Sequence, residues 1–272
     1  MISIITAIHN GLAINKFYEA SLKKYTVNRF ELIIIDNASA DGSAEFFENA
    51  GYTVVRNQQN YSYPHCQNQG IKIAKGNYLF FLNNDIVLGP RWDELLIKVS
   101  AKHKLDILSA CDNGNVGDAA ISKHIRRKWK RIKYSIMQIG IHNFSLNLMM
   151  KLMYGNWEKF CKKRYEDFGD SIMQGIIGDN VMMTKRGIDI VGLWDERIQS
   201  ADFDLFMRVQ QKIEQGADIK PCKIALGVYI HHFSRMTVKY AAKPAPFTDA
   251  KNLIELKDKW TPEELIKYNP DK

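Results

Sequence analysis

Acidic side chains that could bind a metal ion follow one of the most apolar runs in this 272-residue chain. Asp85 closes the triplet Asn83-Asn84-Asp85, directly after Tyr78–Leu82. Carboxylate oxygens are preferred ligands of Mg²⁺ and Mn²⁺, and such an ion can bridge a diphosphate. Asn and Asp are also common turn residues. The triplet alone therefore predicts either a metal–diphosphate site or a turn, with equal weight.

Asp36 also ends an apolar run, where its carboxylate could accept a hydrogen bond from a base or a ribose hydroxyl. Alone, it is better explained as a helix-capping or turn residue.

A later acidic group contains Asp195-Glu196 and Asp202-Phe203-Asp204. Asp202 would begin a helix, where a carboxylate stays ionised and suits a general base. Helix capping is the commoner use of such acids.

The pair His231-His232 ends a predicted strand. Imidazole is a frequent metal ligand. A histidine pair of this kind is nevertheless more often structural or solvent-exposed, so the sequence alone does not decide its role.

Alternating strand and helix signals in the first half would position these groups. The predicted helices extend to about Lys24 and over Ala44–Asn49 and Gln67–Lys75, between strands at Ile2–Ile8, Phe30–Ile35, Tyr52–Arg56 and Tyr78–Leu82. Continuous apolar runs are typical of strands buried on both faces of a parallel sheet. This order predicts an α/β fold with a doubly wound sheet and right-handed crossovers.

Ligands of such sheets bind at the carboxyl ends of the strands. His9-Asn10, Asp36-Asn37 and Asn83-Asn84-Asp85 all follow predicted strands. We therefore expect these three loops to converge on one crevice.

The second half continues the α/β pattern after an unusual middle. We predict a strand at Gly175–Thr184, a helix at Asp202–Gln215 and a strand at Ile224–His231. Thr261-Pro262-Glu263-Glu264 has the capping-box pattern that begins a terminal helix.

The middle contains a strongly basic stretch, Lys123–Lys133, followed by Ile136–Tyr154, which is rich in Met, Leu, Ile and Phe. Three interpretations stay open: an interfacial helix on a membrane surface, a lid over a site, and a solvated basic helix packed on a core helix. The last is slightly favoured. Nucleic-acid binding is not predicted, because no recognition motif accompanies the basic residues.

The composition narrows the class of protein. A formal net charge of +8 favours anionic partners such as nucleotide diphosphates, acidic polymers or anionic lipids. The four cysteines form no C-x-x-C pair, so free thiols are expected rather than a disulfide framework or a zinc site. Neither a basic leader nor about 18 consecutive apolar residues is present. The protein is therefore expected to be cytoplasmic.

Taken in order, these elements resemble the inverting glycosyltransferases of family 2. The resemblance covers about Ser3 to Thr237, with a gap in the middle. It depends on the strand-loop Ile4–Asn10, the strand Leu32–Asp36 with its loop to Ser43, the Asn68-Gln69-Gly70-Ile71 element with Gly76, Tyr78–Asp85, Gly192–Glu196, Ala201–Leu205 and Tyr229–His231.

The resemblance implies a GT-A fold, in which helices flank a mixed, mainly parallel sheet. It implies one such domain over residues 1–240, with an insert at about 120–170 and a helical tail at 241–272. The implied activity is transfer of a sugar from a nucleotide-diphosphate sugar to an acceptor hydroxyl, in one inverting displacement. The implied cofactor is Mn²⁺ or Mg²⁺.

The same resemblance assigns roles to individual residues. Asp202 would be the general base, and Asp85 and His231 would hold the metal. The implied nucleotide-sugar contacts are Thr6, His9, Asn10, Asp36, Asn68, Asn84 and Asp85. The acceptor would be a saccharide or a lipid-linked saccharide, in cell-surface polysaccharide or glycan synthesis. With such an acceptor, residues 123–154 could contact the inner membrane surface.

Three positions depart from the family pattern: Asn83 replaces the first acid of the metal motif, Ala201 replaces a Glu, and Gln67 replaces a common Arg. These departures keep open a catalytically degenerate protein of the same fold that binds a nucleotide-sugar or a glycan. A sugar-1-phosphate nucleotidyltransferase is not expected. The loop His9–Leu12 lacks the Gly-rich, basic sequence that class needs.

Overall fold

The computed structural model describes residues 1–234, 236 and 246–268 of the chain. Its strands are β1 Ile2–Ile8, β2 Phe30–Asn37, β3 Thr53–Asn57, β4 Tyr78–Leu82, β5 Ile86–Val87, β6 Ile107–Cys111, β7 Ile172–Gln174, β8 Asn180–Thr184, β9 Lys223–Tyr229 and β10 His231–His232. Its helices are α1 Leu12–Tyr25, α2 Ser43–Asn49, α3 Tyr63–Ile73, α4 Trp92–His103, α5 Ala119–Ile136, α6 Asn143–Tyr154, α7 Trp157–Phe168, α8 Lys185–Val191, α9 Ala201–Glu214, α10 Leu256–Lys259 and α11 Pro262–Tyr268.

Eight strands form one mixed sheet in the order β3-β2-β1-β4-β8-β6-β9-β7. The β1–β2, β2–β3, β1–β4 and β6–β9 pairs are parallel, whereas β8 lies antiparallel between β4 and β6. Both faces are covered, because alternate residues such as Ile4 and Ile5 enter separate apolar clusters. The predicted α/β fold with buried parallel strands is confirmed.

Two strand pairings position the loops that carry polar residues. Ile8 lies opposite Asp36 in the parallel β1–β2 register, so the carboxyl ends of these strands meet. The two-residue strand β10 pairs with β5, which places the histidine pair beside the segment that follows Asp85. Residues far apart in sequence thereby share one edge of the sheet.

The predicted strand over Gly175–Thr184 is wrong in its first half. β8 begins only at Asn180, and Gly175 has a φ of 143°. The chain must cross here from β7, which pairs with β9, to β8 between β4 and β6. Similarly, the predicted strand Ile224–His231 is divided, because β9 ends at Tyr229 and β10 pairs elsewhere.

The middle of the chain forms three helices, α5 to α7. We call α5, its connecting turn and α6, residues 119–154, the basic hairpin. Its inner face contributes Trp129, Leu146 and Met149 to an apolar cluster that also contains Phe233. The hairpin is therefore packed on the domain through a core of its own.

The C-terminal segment packs on α9, where Trp260 and Tyr268 contact Met207. The predicted capping box is confirmed, because Thr261 and Glu264 each accept a hydrogen bond from the other's backbone N–H. The predicted boundary at residue 240 lies outside the described residues and stays a prediction. Along the described part of the chain, no helix combines the length and the apolar character needed to cross a membrane.

Candidate functional site

Two loops at the ends of β1 and β2 are held together by hydrogen bonds. The backbone N–H of Asn10 donates to Ser39 Oγ at 2.8 Å, and Asn10 Oδ1 accepts from Ala40 N–H at 2.8 Å. His9 Nδ1 lies 2.6 Å from the carbonyl oxygen of Asn37. His9 and Asn10 are half-buried and form one wall of the predicted crevice.

Asp36 lies at the end of β2 beside this wall. Its side chain is buried, and its carboxylate accepts the backbone N–H of Ser39 at 3.2 Å. Burial raises the pKa of Asp36 above its ordinary value. A carboxylate with remaining acceptor capacity at this position could bind a ribose hydroxyl or a base N–H.

Thr6 and Asn84, both predicted nucleotide-sugar contacts, form side-chain hydrogen bonds within the protein. The Thr6 hydroxyl lies 2.7 Å from the Tyr18 hydroxyl in the core. Asn84 Nδ2 donates to Asn15 Oδ1 at 2.6 Å, and Asn15 in turn donates to Ser43 Oγ. These residues position the loops rather than offer free groups to a ligand.

The Asn68 side chain also forms its hydrogen bonds within the protein. Its Nδ2 donates to Trp194 O and to Glu196 Oε1, each at 2.9 Å, and its Oδ1 accepts from Trp194 N–H at 3.0 Å. This buried amide therefore attaches α3 to the loop that precedes α9. That loop determines where Asp202 begins its helix.

At the same edge of the sheet, three carboxylates meet around one imidazole. His232 Nε2 lies 3.1 Å from Asp85 Oδ1, and His232 Nδ1 lies 2.7 Å from Asp179 Oδ2. Asp112, Asp179 and His232 each offer a ligand atom, and these atoms lie within 4.8 Å of one another. We call Asp85, Asp112, Asp179 and His232 the acidic cluster.

The acidic cluster holds more negative than positive charge. Burial and the nearby Asp179 raise the pKa of Asp112 to about 7. Burial would lower the pKa of His232, but Asp179 and Asp85 outweigh that effect and raise it well above its usual range. Despite its own burial, Asp85 has a lowered pKa because of His232. The ion pairs between described residues include no Lys or Arg partner for these three aspartates. A divalent cation would offset this excess.

His231, the predicted metal ligand, lies on the opposite side of β10. Its Nδ1 is 2.8 Å from the Tyr154 hydroxyl, and its ring packs edge-on against Trp129 with centroids 4.4 Å apart. Burial lowers the pKa of His231 well below its usual range. Successive side chains of a strand point to opposite faces, so His232 reaches the acidic cluster and His231 does not. We therefore take His232 as the candidate ligand, whereas the sequence points to His231.

Asp202 lies on the wall of a cavity of about 360 Å³ at the first turn of α9. Burial raises its pKa above the ordinary value, with Asp179 adding to the effect. No described Lys, Arg or His forms an ion pair with it. The other lining residues are Tyr63, Asn83, Gly178, Asp179, Gln199, Ala201 and His232.

Gly178 is fitted closely to Asp202. A Cβ at this position would lie 2.4 Å from Asp202 Oδ2, closer than non-bonded atoms approach. The next residue, Asp179, accepts the backbone N–H of Asn83 through its carbonyl at 2.9 Å, which joins the two sides of the cavity. Tyr63 lines the same cavity, and its hydroxyl has no hydrogen-bond partner among the described residues.

Asp204, the alternative acid two residues further along α9, has a different environment. It accepts hydrogen bonds from Lys259 Nζ at 2.6 Å, Trp260 Nε1 at 3.0 Å and Arg208 Nε at 2.8 Å. This fully buried carboxylate is occupied by three donors. It is a structural residue, which leaves Asp202 as the acid of α9 that faces the cavity.

Asp112, Asp179 and Gly178 were missed by the sequence interpretation. Asp112 follows the apolar run of β6 just as Asp85 follows β4, so the same strand-end argument could have found it. Asp179 precedes its strand, and only the antiparallel orientation of β8 brings it to the same edge. Nothing in the local sequence reveals that orientation.

Similarity to known sequences covers the first two thirds of this architecture. The sequence profile described as Glycosyl transferase family 2 matches residues 3–186, more than half of the chain. An uncharacterized glycosyltransferase of Haemophilus influenzae is 32% identical over 100 residues, covering 36% of this chain and 34% of that protein. The putative glycosyltransferase EpsH of Bacillus subtilis is 26% identical over 104 residues, covering 36% of this chain and 30% of EpsH. These matches thus span only a third of the length of the curated relatives.

Two solved structures share the fold at low sequence identity. One is the mannosyltransferase PcManGT from Pyrobaculum calidifontis in complex with GDP-Man and Mn²⁺, with a TM-score of 0.52 and 13% identity. It covers 83% of this chain and 56% of its own. The other is TarS 1-349 of S. aureus, with a TM-score of 0.52, 14% identity and coverage of 86% and 60%. The predicted GT-A arrangement of a mixed sheet between helices is confirmed.

Proposed function

This chain belongs to glycosyl transferase family 2, and from that premise we propose that it transfers a sugar from a nucleotide-diphosphate sugar to an acceptor hydroxyl. One observation carries the proposal: Asp202, with no cationic partner among the described residues, shares a cavity with Asn83 and His232. That cavity adjoins Asp85 through the His232–Asp85 contact. A base, a candidate metal site and a polar cavity are therefore contiguous.

The nucleotide would occupy the crevice between the β1 and β2 loops. His9, Asn10 and Asp36 are the predicted contacts that remain there, with Asp36 available to the ribose or the base. The similar fold of PcManGT binds GDP-Man and Mn²⁺, which supports a sugar nucleotide as the ligand class. The sugar would then extend from the diphosphate into the cavity beside Asp202.

The donor set fits a divalent cation, Mn²⁺ or Mg²⁺. Asp85 and His232 would hold it, with Asp179 and Asp112 beside them, since three carboxylates here face a single imidazole. Carboxylate and imidazole ligands together suit Mn²⁺ well. When bound, the ion would neutralise charge on the departing nucleotide diphosphate. His232 must lose a proton to become a ligand, so metal affinity should rise with pH.

Asp202 would act as the general base. Its pKa, raised by burial, makes it a stronger proton acceptor than an exposed aspartate. It would take the proton of the acceptor hydroxyl as the hydroxyl oxygen bonds to the anomeric carbon and the bond to the diphosphate breaks. Attack from the side opposite the diphosphate inverts the anomeric centre. Positioning of the two substrates would supply much of the acceleration.

For the acceptor we propose a saccharide, free or lipid-linked, in cell-surface polysaccharide or glycan synthesis. The cavity is lined by amide, phenol and carboxylate side chains, which suit sugar hydroxyls. Tyr63, whose hydroxyl has no described partner, is a candidate contact to the transferred sugar or to the acceptor.

The test has two stages. Thermal shift with a panel of nucleotide diphosphates and nucleotide-sugars, with and without Mn²⁺, should identify a stabilising nucleotide. Donor hydrolysis and transfer are then compared between the wild type and Asp202→Asn. The expected result is a metal-dependent nucleotide response and a strong loss of transfer in the variant.

A second candidate function, binding of a nucleotide-sugar or glycan without turnover, is favoured by Asn83 and Ala201, which replace acids of the family pattern. It predicts the same nucleotide response with no transfer by the wild type. Failure of every nucleotide to stabilise the protein would exclude the transferase and the nucleotide-sugar binding protein.

A further inference from the structure

The net positive charge of the protein comes from the basic hairpin. The chain has 38 Lys and Arg and 30 Asp and Glu. Residues 119–154 contain eight of the basic residues and no acidic residue, so the rest of the chain is balanced at 30 of each. A charge of +8 is therefore concentrated on two adjacent helices instead of being spread over the surface.

One face of α5 presents this charge to solvent. Lys123, Arg127, Lys130, Arg131 and Tyr134 follow helical spacing and are all exposed. None of the ion pairs between described residues uses the four basic members of this stripe. Their charge is thus available to an outside partner.

Large apolar side chains are exposed on the same hairpin. Ile139 and Phe144 flank the turn between α5 and α6, and Phe144 is 66% exposed. Ile121, Tyr134 and Leu152 add further exposed apolar surface. Meanwhile the inner face is fully occupied, since Trp129 and Leu146 pack in the core. The outward apolar side chains are thus exposed on the side of the hairpin away from its core.

We propose that the basic hairpin is a docking surface for an anionic phospholipid bilayer. Basic side chains on one helical face together with exposed apolar side chains are the combination that binds in the membrane interface. The cations would contact lipid phosphates, and Ile139 and Phe144 at the turn would enter the boundary between headgroups and acyl chains. A polyanion without an apolar phase, such as a nucleic acid, explains the charge but not these exposed apolar side chains.

The hairpin is physically connected to the acidic cluster. Trp129 on its inner face packs against His231, the neighbour of His232. Lys133 donates to the carbonyl oxygen of Ser234, just beyond β10. A bilayer bound to the outer face would consequently lie near the strand that carries His232. This proposal does not depend on the proposed transfer reaction and can be tested without it.

The test is co-sedimentation of the full chain with vesicles of phosphatidylcholine alone or with added phosphatidylglycerol. We expect binding only to the anionic vesicles, weakened by salt. The double variant Lys130→Glu, Arg131→Glu replaces two cations of the stripe. It should weaken vesicle binding at least about tenfold, since each basic residue near an anionic surface contributes substantially to the binding free energy. Phe144→Ser should weaken it several-fold at unchanged net charge.

Matched control variants separate local from general effects. Lys162→Glu with Lys163→Glu changes the net charge equally on exposed side chains of α7. Ile266→Ser removes a side chain that is 65% exposed on α11, against 66% for Phe144. Both controls should bind like the wild type.

Equal weakening by the control and the hairpin variants would overturn the proposal, as would equal binding to both kinds of vesicle or to neither. It would also be overturned if duplex RNA displaced the protein from vesicles and Phe144→Ser left vesicle binding unchanged. The first result would indicate a general charge effect, and the last would indicate a nucleic-acid surface.

Discussion

Two aspartates on the first turn of α9 have opposite environments. Asp204 is fully buried and accepts hydrogen bonds from Lys259, Trp260 and Arg208. Asp202 faces a cavity, and no described cation pairs with it. The first carboxylate has used its acceptor capacity within the protein, whereas the second retains it for a ligand. The difference separates an acid that stabilises the fold from one that can take part in chemistry.

The largest effects should come from exchanging each acid for its amide. Asp202→Asn should lower transfer by about 10²- to 10⁴-fold, because it removes the base, and should leave the folding free energy nearly unchanged. Asp204→Asn should instead leave transfer nearly unchanged and lower the folding stability. It should destabilise the protein by about 3 kcal/mol, since two basic side chains lose their shared partner. Transfer assays and urea unfolding measure the two effects.

The comparison would fail if both variants lost activity and stability together. It would be inverted if Asp204→Asn, assayed under conditions where it is folded, lost more activity than Asp202→Asn.

Gly178→Ala should lower transfer by about 10²-fold, because a small displacement of a catalytic group has an effect of that size. The added Cβ would force Asp202 Oδ2 to move from its present position. Combining it with Asp202→Asn should cause no further loss, since both changes act on one carboxylate. Independent, multiplying losses in the double variant would show that Gly178 acts elsewhere.

The two histidines of β10 also differ as a candidate ligand-binding residue and a structural residue, and their variants should show smaller effects. His232→Gln should weaken Mn²⁺ binding at least about tenfold, because it removes a ligand. His231→Gln should keep Mn²⁺ binding and lose roughly 1–3 kcal/mol of stability with its buried contact to Tyr154. Isothermal titration with Mn²⁺ and thermal unfolding distinguish them. Equal Mn²⁺ affinities in the two variants would restore His231 as the candidate ligand.

A further test concerns pH. The pKa of Asp112 is raised from 3.8 to about 7 in the fold, so the folded protein holds a proton that the unfolded chain has released. Stability without metal should therefore fall as the pH rises from about 4 to 7, by at most about 4 kcal/mol. Asp112→Asn keeps the acceptor for the Asn115 N–H and should flatten this decline in chemical unfolding curves. An unchanged slope would show that another group binds the proton.

The sheet was predictable because its strands are continuous apolar runs. Ile2–Ile8 and Tyr78–Leu82 were located to the residue, since strands buried on both faces are predominantly apolar, and only Ser3 and Thr6 interrupt these two. Strand direction was not predictable in the same way. The segment Gly175–Thr184 includes the chain's crossing to β8. This crossing is needed because β8 lies antiparallel between β4 and β6.

The candidate site was predictable to the level of its loops. His9, Asp36 and Asp85 do lie at the ends of neighbouring strands, as the parallel order requires. Which polar side chain points outward depends on packing partners far away in sequence. Thr6 turns to Tyr18, and Asn68 turns to Trp194, contacts separated by 12 and 126 residues.

The contact between Lys259 and Asp204 spans 55 residues, so it joins α9 to a segment that is synthesised later. A nascent chain that has completed α9 but has not reached Lys259 lacks two hydrogen-bond donors to the Asp204 carboxylate, Lys259 and Trp260. Vectorial folding should therefore leave α9 loosely attached, and the first turn that carries Asp202 should become ordered only after Lys259 and Trp260 have emerged from the ribosome. The emergence of Lys259 and Trp260 is thereby coupled to assembly of the cavity.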